Sequence, residues 1–273
     1  MPRQHPIFRK HIALPQEHGA WAFLLTPLVV GLAVGGRLNL GSFWLVVAAL
    51  AGFFLRQPVT IAVKVYARRR GKKDLPAALF WSGVYALIGL IAVWQLVRFG
   101  GVYLLWLAIP AVAVFGWYLY LVARRAERRR MDMEVVASGV LALSAPAAVW
   151  LERGAADWHG WLLWVLLWLQ AAASIVYAYT RLEQRSWKSV PPLRERMRHG
   201  WRALCYTTFN LLAVALLGIA GIVSHWLWAA YAVQWLETLA GILKPAVKTK
   251  PAVIGIRQFL VTTLFTIVFI LAW

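Results

Sequence analysis

The sequence predicts an all-α integral membrane protein with nine transmembrane helices, and three observations carry that prediction. Of its 273 residues, 62% are hydrophobic and only 14% are charged, too little polar surface for a water-soluble domain. Apolar runs long enough to cross a bilayer recur along the whole chain. The connections between those runs alternate between crowded and nearly empty in lysine and arginine, as the two faces of a membrane do.

In chain order the predicted spans are 20–36, 40–66, 77–97, 102–122, 134–151, 158–180, 203–223, 224–243 and 251–273. The seventh and eighth are separated only by a tight turn near 221–225. Of the 29 lysines and arginines, all but Arg37, Arg98 and Arg153 fall on one side of this layout. That side is cytoplasmic by the positive-inside rule, so the N-terminus is predicted inside and the C-terminus outside. The expected location is a bacterial inner (cytoplasmic) membrane, crossed many times by a single membrane domain, 1–273, with no soluble appendage and no cleavable signal peptide. The two long connections, after the second and sixth spans, are both on the basic side. In the sixth, "RSWKSVPPLRERMRHG" carries a basic run that reads as a short helix lying along the membrane surface.

The net charge of +19 follows from topology, because the basic clusters are threaded between spans, and no nucleic-acid partner is predicted. A single cysteine, Cys205, excludes an intrachain disulfide. The six histidines, His5, His11, His18, His159, His199 and His225, show no metal-ligand spacing. No metal and no cofactor are expected. Most of the 17 tryptophans read as interfacial belt, and "GVLALSAP" and "GLAVGG" as stretches where helices approach closely.

Three features depart from plain span chemistry. In "FLRQPVTIAVKVYARRR" (54–70), helical spacing gathers Arg56, Gln57, Thr60 and Lys64 into one polar stripe, since each residue advances about 100°. Arg68 extends that stripe by a turn, and Pro58 lies inside it. Lys64 and Arg68 have a second reading, snorkelling to the headgroups. Arg56 lies about 12 Å of helix rise deeper than Lys64 and is predicted to face protein, water or a ligand. The sixth span ends in the same manner: "YAYTRLEQRSWK" places Tyr177, Arg181 and Arg185 on one face, again with snorkelling as the alternative. The third feature is "LPQEHGAW" (14–21), where Glu17 and His18 sit at the mouth of the first span, and Glu134 holds a comparable place before the fifth. These are predicted ion-pair partners of the basic side chains, capping being the alternative for Glu17.

The opening "PQEHGAWAFLLTPLVVGL" (15–32), the basic second loop and the closing "KPAVIGIRQ" resemble the YwiC-like family of bacterial membrane proteins along nearly the whole chain. That family implies no particular activity. The layout of nine spans with long loops after the second and sixth is similar to the UbiA-type intramembrane prenyltransferases. That likeness implies a helical bundle around a lateral cavity, in which aspartate motifs on the second and sixth helices hold magnesium against an isoprenyl pyrophosphate. The first motif, N-D-x-x-D-x-x-x-D, falls here on Arg56, Gln57, Thr60 and Lys64, and the second near 181–185, where only Glu183 is acidic. With no carboxylate cluster for Mg²⁺, the basic residues are expected to meet an anion directly.

The predicted function is therefore binding of an anionic lipid or isoprenoid phosphate in a cytoplasm-facing basic cavity. The ligand residues are Arg56, Gln57, Thr60, Lys64, Arg68, Tyr177, Arg181 and Arg185, with Arg56 and Lys64 facing Arg181 or Arg185 across the cavity. Catalysis is not favoured, since the metal-binding aspartates are replaced. Two alternatives stay open: a UbiA-like prenyltransferase, and a small-anion transporter, for which an odd span number makes an inverted repeat less natural.

Overall fold

A computed structural model describes residues 9–15, 18–36, 38–99, 101–127 and 130–273. Their regular structure is entirely helical. A short α1 (Lys10–Ala13) precedes α2 (His18–Gly35), α3 (Leu40–Tyr66), α4 (Leu75–Arg98), α5 (Leu105–Ala123), α6 (Met131–Ala142) and α7 (Ser144–Arg153). The second half is α8 (Trp158–Gln184), α9 (Leu193–Ile219), α10 (Trp228–Leu243) and α11 (Pro251–Ala272).

Local chemistry explains most of these boundaries. Asn39 and Ser42 form a reciprocal capping box that starts α3, the Asn39 side chain accepting from the Ser42 amide at 2.9 Å. Asp157 caps α8 by accepting from the Gly160 amide at 2.9 Å. Pro251 sits in the first turn of α11, where its missing donor costs nothing. The predicted fifth span divides at Leu143 into α6 and α7. Pro146 cannot donate to the Ala142 carbonyl one turn back, and the Ser144 hydroxyl bonds the Leu141 carbonyl at 2.8 Å.

Among the described residues, seven helical stretches are long and apolar enough to cross a membrane: 40–66, 72–98, 102–123, 131–153, 158–184, 193–219 and 251–272. The stretch 19–35 in α2 is apolar but shorter, and α10 has 16 residues. The largest shift from expectation is at the seventh span. The basic run after Pro192 is no separate surface helix; it forms the first turns of α9, which starts at Leu193 and ends at Ile219. Arginine and glutamate are good helix formers, so the charges change what the helix faces without ending it.

Small residues set the closest crossings. A Cβ on Gly31 would lie 2.7 Å from the Ala145 Cα, which brings α2 against α7. Gly139 does the same for α6 on α8, where the Trp164 indole donates to the Gly139 carbonyl at 2.8 Å and Trp168 to that of Val135 at 2.8 Å. These tryptophans act as packing and hydrogen-bonding anchors, as does buried Trp150, which donates to the Asp157 carbonyl. Trp94, Trp106, Trp158, Trp201 and Trp226 are exposed. One apolar core, around Tyr231, Phe265 and Phe269, joins α2, α7, α8, α9, α10 and α11. Helices α3 and α4 pair along their length, while α5 has few buried residues and packs sparingly beside α3 and α6.

Candidate ligand-binding cavity

The gap that α5 leaves is a cavity of about 850 Å³, lined by α2, α3, α5 and α6 and closed by the end of α4. Among the described residues, every one that lines it lies between Gly19 and Ala147. Phe23, Leu45, Phe53, Leu107, Val112 and Phe115 are among its many apolar walls. Its charged lining side chains are Arg56, Lys64, Glu127, Arg130 and Glu134, joined by the Tyr118 phenol.

The polar end is built from helix termini. Arg56 stands ten residues before the end of α3, about 15 Å of rise into the helix, and its guanidinium lies 5.2 Å from the Tyr118 ring centroid on α5. Lys64, two turns on, reaches to 3.9 Å from Glu127. Beyond it α3 ends with Arg68 left-handed at φ 55 and the Arg69 amide bonding back to the Lys64 carbonyl at 2.7 Å. That turn points Arg69 at the matching end of α5. Arg69 pairs with both oxygens of Glu127, at 2.8 and 3.1 Å, and also donates to the Val122 carbonyl. Burial opposes ionisation of Glu127, but the Arg69 hydrogen bond and the charges of Arg69 and Lys64 outweigh it and hold the carboxyl below its usual range. Glu134 accepts from the Tyr179 hydroxyl at 2.7 Å.

The predicted site residues separate into groups. Arg56 and Lys64 line one cavity together, as expected. Thr60 is buried and bonds its own helix, donating to the Arg56 carbonyl at 2.6 Å. Gln57 donates to the His11 carbonyl at 3.1 Å and so ties α3 to α1. Arg68 does not extend the stripe: the helix has already ended, and its side chain is exposed in the left-handed turn. Glu17 and the side chain of His18 lie outside the described residues.

The sixth-span residues go elsewhere. Arg181 is 5% exposed and does not line the cavity. Its guanidinium donates to the Gln184 amide oxygen at 2.8 Å and to the Gly241 and Lys244 carbonyls at 2.8 and 2.9 Å, satisfying the open end of α10. Tyr177 packs on Gly241 and donates to Glu237 at 2.7 Å. Glu237 is paired in turn with Arg257 at 2.7 Å. Arg185 caps α8 on the surface, its carbonyl accepting from the Lys248 amide. The arrangement with Arg56 facing Arg181 or Arg185 across the cavity is therefore not found, because the α10 terminus occupies Arg181 and neither arginine lines the cavity.

Tyr118, Glu127, Arg130 and the Arg69 clamp were not anticipated. The available signal was Glu127 itself, a single acid inside "RRAERRR". Among the described residues no three His, Cys, Asp or Glu side chains are grouped as a metal would need.

The helical bundle defines a polytopic membrane protein whose fold is similar to that of a UbiA-type prenyltransferase. A solved structure of digeranylgeranylglyceryl phosphate synthase in membranes superimposes with a TM-score of 0.57, covering 94% of this chain and 99% of that one at 14% identity. Residues 14–149, the stretch that holds the described lining of the cavity, match the model of the YwiC-like protein family. The uncharacterised protein YwiC of Bacillus subtilis (strain 168) is 25% identical over 216 residues, covering 73% of this chain and 84% of the relative.

Proposed function

We propose that the cavity binds an anionic amphiphile such as an isoprenoid phosphate, with its headgroup at Arg56, Lys64 and Arg130 and its chain along the apolar walls. One observation carries this reading: a large, mostly apolar cavity whose lining includes the cations Arg56, Lys64 and Arg130. Its volume of about 850 Å³ lies within the range of roughly 300–1,000 Å³ that encloses small ligands. A ligand of that shape places its charge beside arginine and lysine side chains that pair with phosphate oxygens and its chain along the apolar walls. Among the described residues, the two carboxylates that line the cavity are engaged with Arg69 and Tyr179, so the headgroup is met by side-chain cations and Mg²⁺ is not required.

The accompanying topology is nine crossings in one membrane domain, with α2 and α10 as short spans, the N-terminus cytoplasmic and the C-terminus outside a bacterial inner membrane. The charge bias of the loops supports it. Reporter fusions after Arg70 and Arg202 are expected to read cytoplasmic, and one after Trp273 external. A cytoplasmic reading at Trp273 contradicts the nine-span count.

The site itself is tested by titrating farnesyl phosphate into purified wild type, Arg56→Ala and Lys64→Ala, each with and without EDTA. Losing a charge-assisted contact weakens binding by about 10- to 100-fold, and chelator changes none of the three. A second reading, prenyl transfer, is favoured by the shared fold with digeranylgeranylglyceryl phosphate synthase. It predicts Mg²⁺-dependent turnover of an isoprenyl pyrophosphate, which would displace the binding reading.

A further inference from the structure

A second, much smaller space lies behind the wall of the ligand cavity. It measures about 20 Å³, room for one particle the size of a water molecule. Phe23 and Ser138 line both spaces, and Thr26, Gln170, Ser174 and Thr262 add polar side chains to the smaller one. Thr26, Gln170 and Thr262 stand about halfway along α2, α8 and α11. Ala142, also in the lining, ends α6 halfway along the stretch 131–153. The space therefore sits near the middle of the membrane-crossing bundle.

Its chemistry is that of oxygen atoms. Phe23 and Ala142 each stand four residues before a proline, Pro27 and Pro146, which lacks the amide hydrogen that would take their carbonyls. The Ser138 hydroxyl donates to the Val135 carbonyl at 2.8 Å and the Ser174 hydroxyl to the Gln258 side-chain oxygen at 3.1 Å. Those two hydroxyls therefore offer lone pairs, and no hydrogen, to anything else beside them. The end of α6 adds the partial negative charge of a helix C-terminus. A shell so rich in acceptors suits a cation better than a water, which needs donors as well. The lining carries no charged side chain among the described residues, which disfavours a divalent ion because burying it uncompensated is costly. Neutral oxygens do replace the hydration shell of a monovalent ion, and broken helices supply such oxygens at the midplane of membrane transport proteins.

We propose that this space is a sodium site, built from the Phe23 and Ala142 carbonyls and from hydroxyl and amide oxygens of α2, α6, α8 and α11. Such a site uses no histidine, cysteine or carboxylate. The ion ties α2 and α6, two walls of the ligand cavity, to α8 and α11 of the second half of the chain. The assignment is independent of what the larger cavity binds.

The test is equilibrium dialysis of the purified protein in detergent against radioactive sodium, for wild type, Thr26→Val, Ser174→Ala and Pro27→Ala. Wild type is expected to bind sodium saturably at a single site, displaced by unlabelled NaCl and not by choline chloride at equal ionic strength. Thr26→Val and Ser174→Ala each remove one oxygen with little change of volume and weaken binding about tenfold or more. Pro27→Ala returns an amide donor to the Phe23 carbonyl and weakens binding without removing any side-chain oxygen. Sodium is also expected to raise the unfolding temperature of wild type above its value in equimolar choline chloride, a shift that the three variants lose. Where one variant does not fold, the other two decide. Wild type that binds no sodium saturably, as an ordered water in that space requires, overturns the assignment. So does sodium binding that every folded variant retains at wild-type strength.

Discussion

The ends of α3 and α8 look alike in sequence and do opposite things. Each is a long helix that runs out through a polar stripe, Arg56 to Lys64 in one and Tyr177 to Arg185 in the other. At the first, α5 stands off and a cavity opens beside Arg56 and Lys64. At the second, the last turn of α10 moves in, and Arg181 hydrogen-bonds its carbonyls while Tyr177 lies on Gly241. The difference is in the neighbour. A helix C-terminus supplies open carbonyls that consume a guanidinium; the flank of a loosely packed helix supplies none. Arg181 is therefore a structural residue of the α10 terminus, whereas Arg56 lines the cavity.

Substitutions sharpen this contrast. Arg181→Ala should be the most damaging, since it removes the buried donor shared by the Gly241 and Lys244 carbonyls and the Gln184 amide oxygen and costs about 3 kcal/mol. A thermal unfolding experiment is expected to show a large loss of stability with unchanged farnesyl phosphate affinity in the folded fraction. Arg56→Ala is the mirror image: affinity falls about 10- to 100-fold, with the unfolding temperature nearly kept. If the two variants behave alike, the distinction between plugged and open helix ends fails.

Gly241→Ala comes next. Its Cβ would meet the Tyr177 ring within 2.8 Å, an overpacking cost of about 1–3 kcal/mol that the unfolding temperature reports and ligand titration does not. Tyr179→Phe is the smallest. It removes the hydroxyl that bonds Glu134 at 2.7 Å at a cost of about 1 kcal/mol, with a modest change in affinity because Glu134 lines the cavity.

What could be read in advance follows physical lines. The limits of α3 were legible because its signals are local: an Asn39–Ser42 box at one end and a run of arginines at the other. The start of α9 was not, because the charges suggested a separate short helix along the membrane surface, whereas one helix runs through them. The stripe was legible as far as Lys64 and misleading at Arg68, since periodicity does not announce a left-handed turn. Glu134 was placed near the basic residues and does line the cavity, where it accepts from the Tyr179 hydroxyl. Arg181 could not be assigned from its own segment, because the carbonyls that hold it lie about sixty residues away in α10. The cavity is likewise a property of what α5 does not touch. No residue of α5 encodes that by itself.

The central claim is that the first half of the chain encloses an anionic amphiphile in the space between α2, α3, α5 and α6. Native mass spectrometry of gently extracted protein tests it most directly, on wild type beside Ala111→Trp, which places an indole into the cavity from α5. The account predicts a co-purified phosphate-bearing amphiphile on wild type, released or strongly depleted in Ala111→Trp while that variant unfolds at close to the wild-type temperature. A wild type that carries no such lipid and takes up no added farnesyl phosphate, or an equal load on Ala111→Trp, would contradict it.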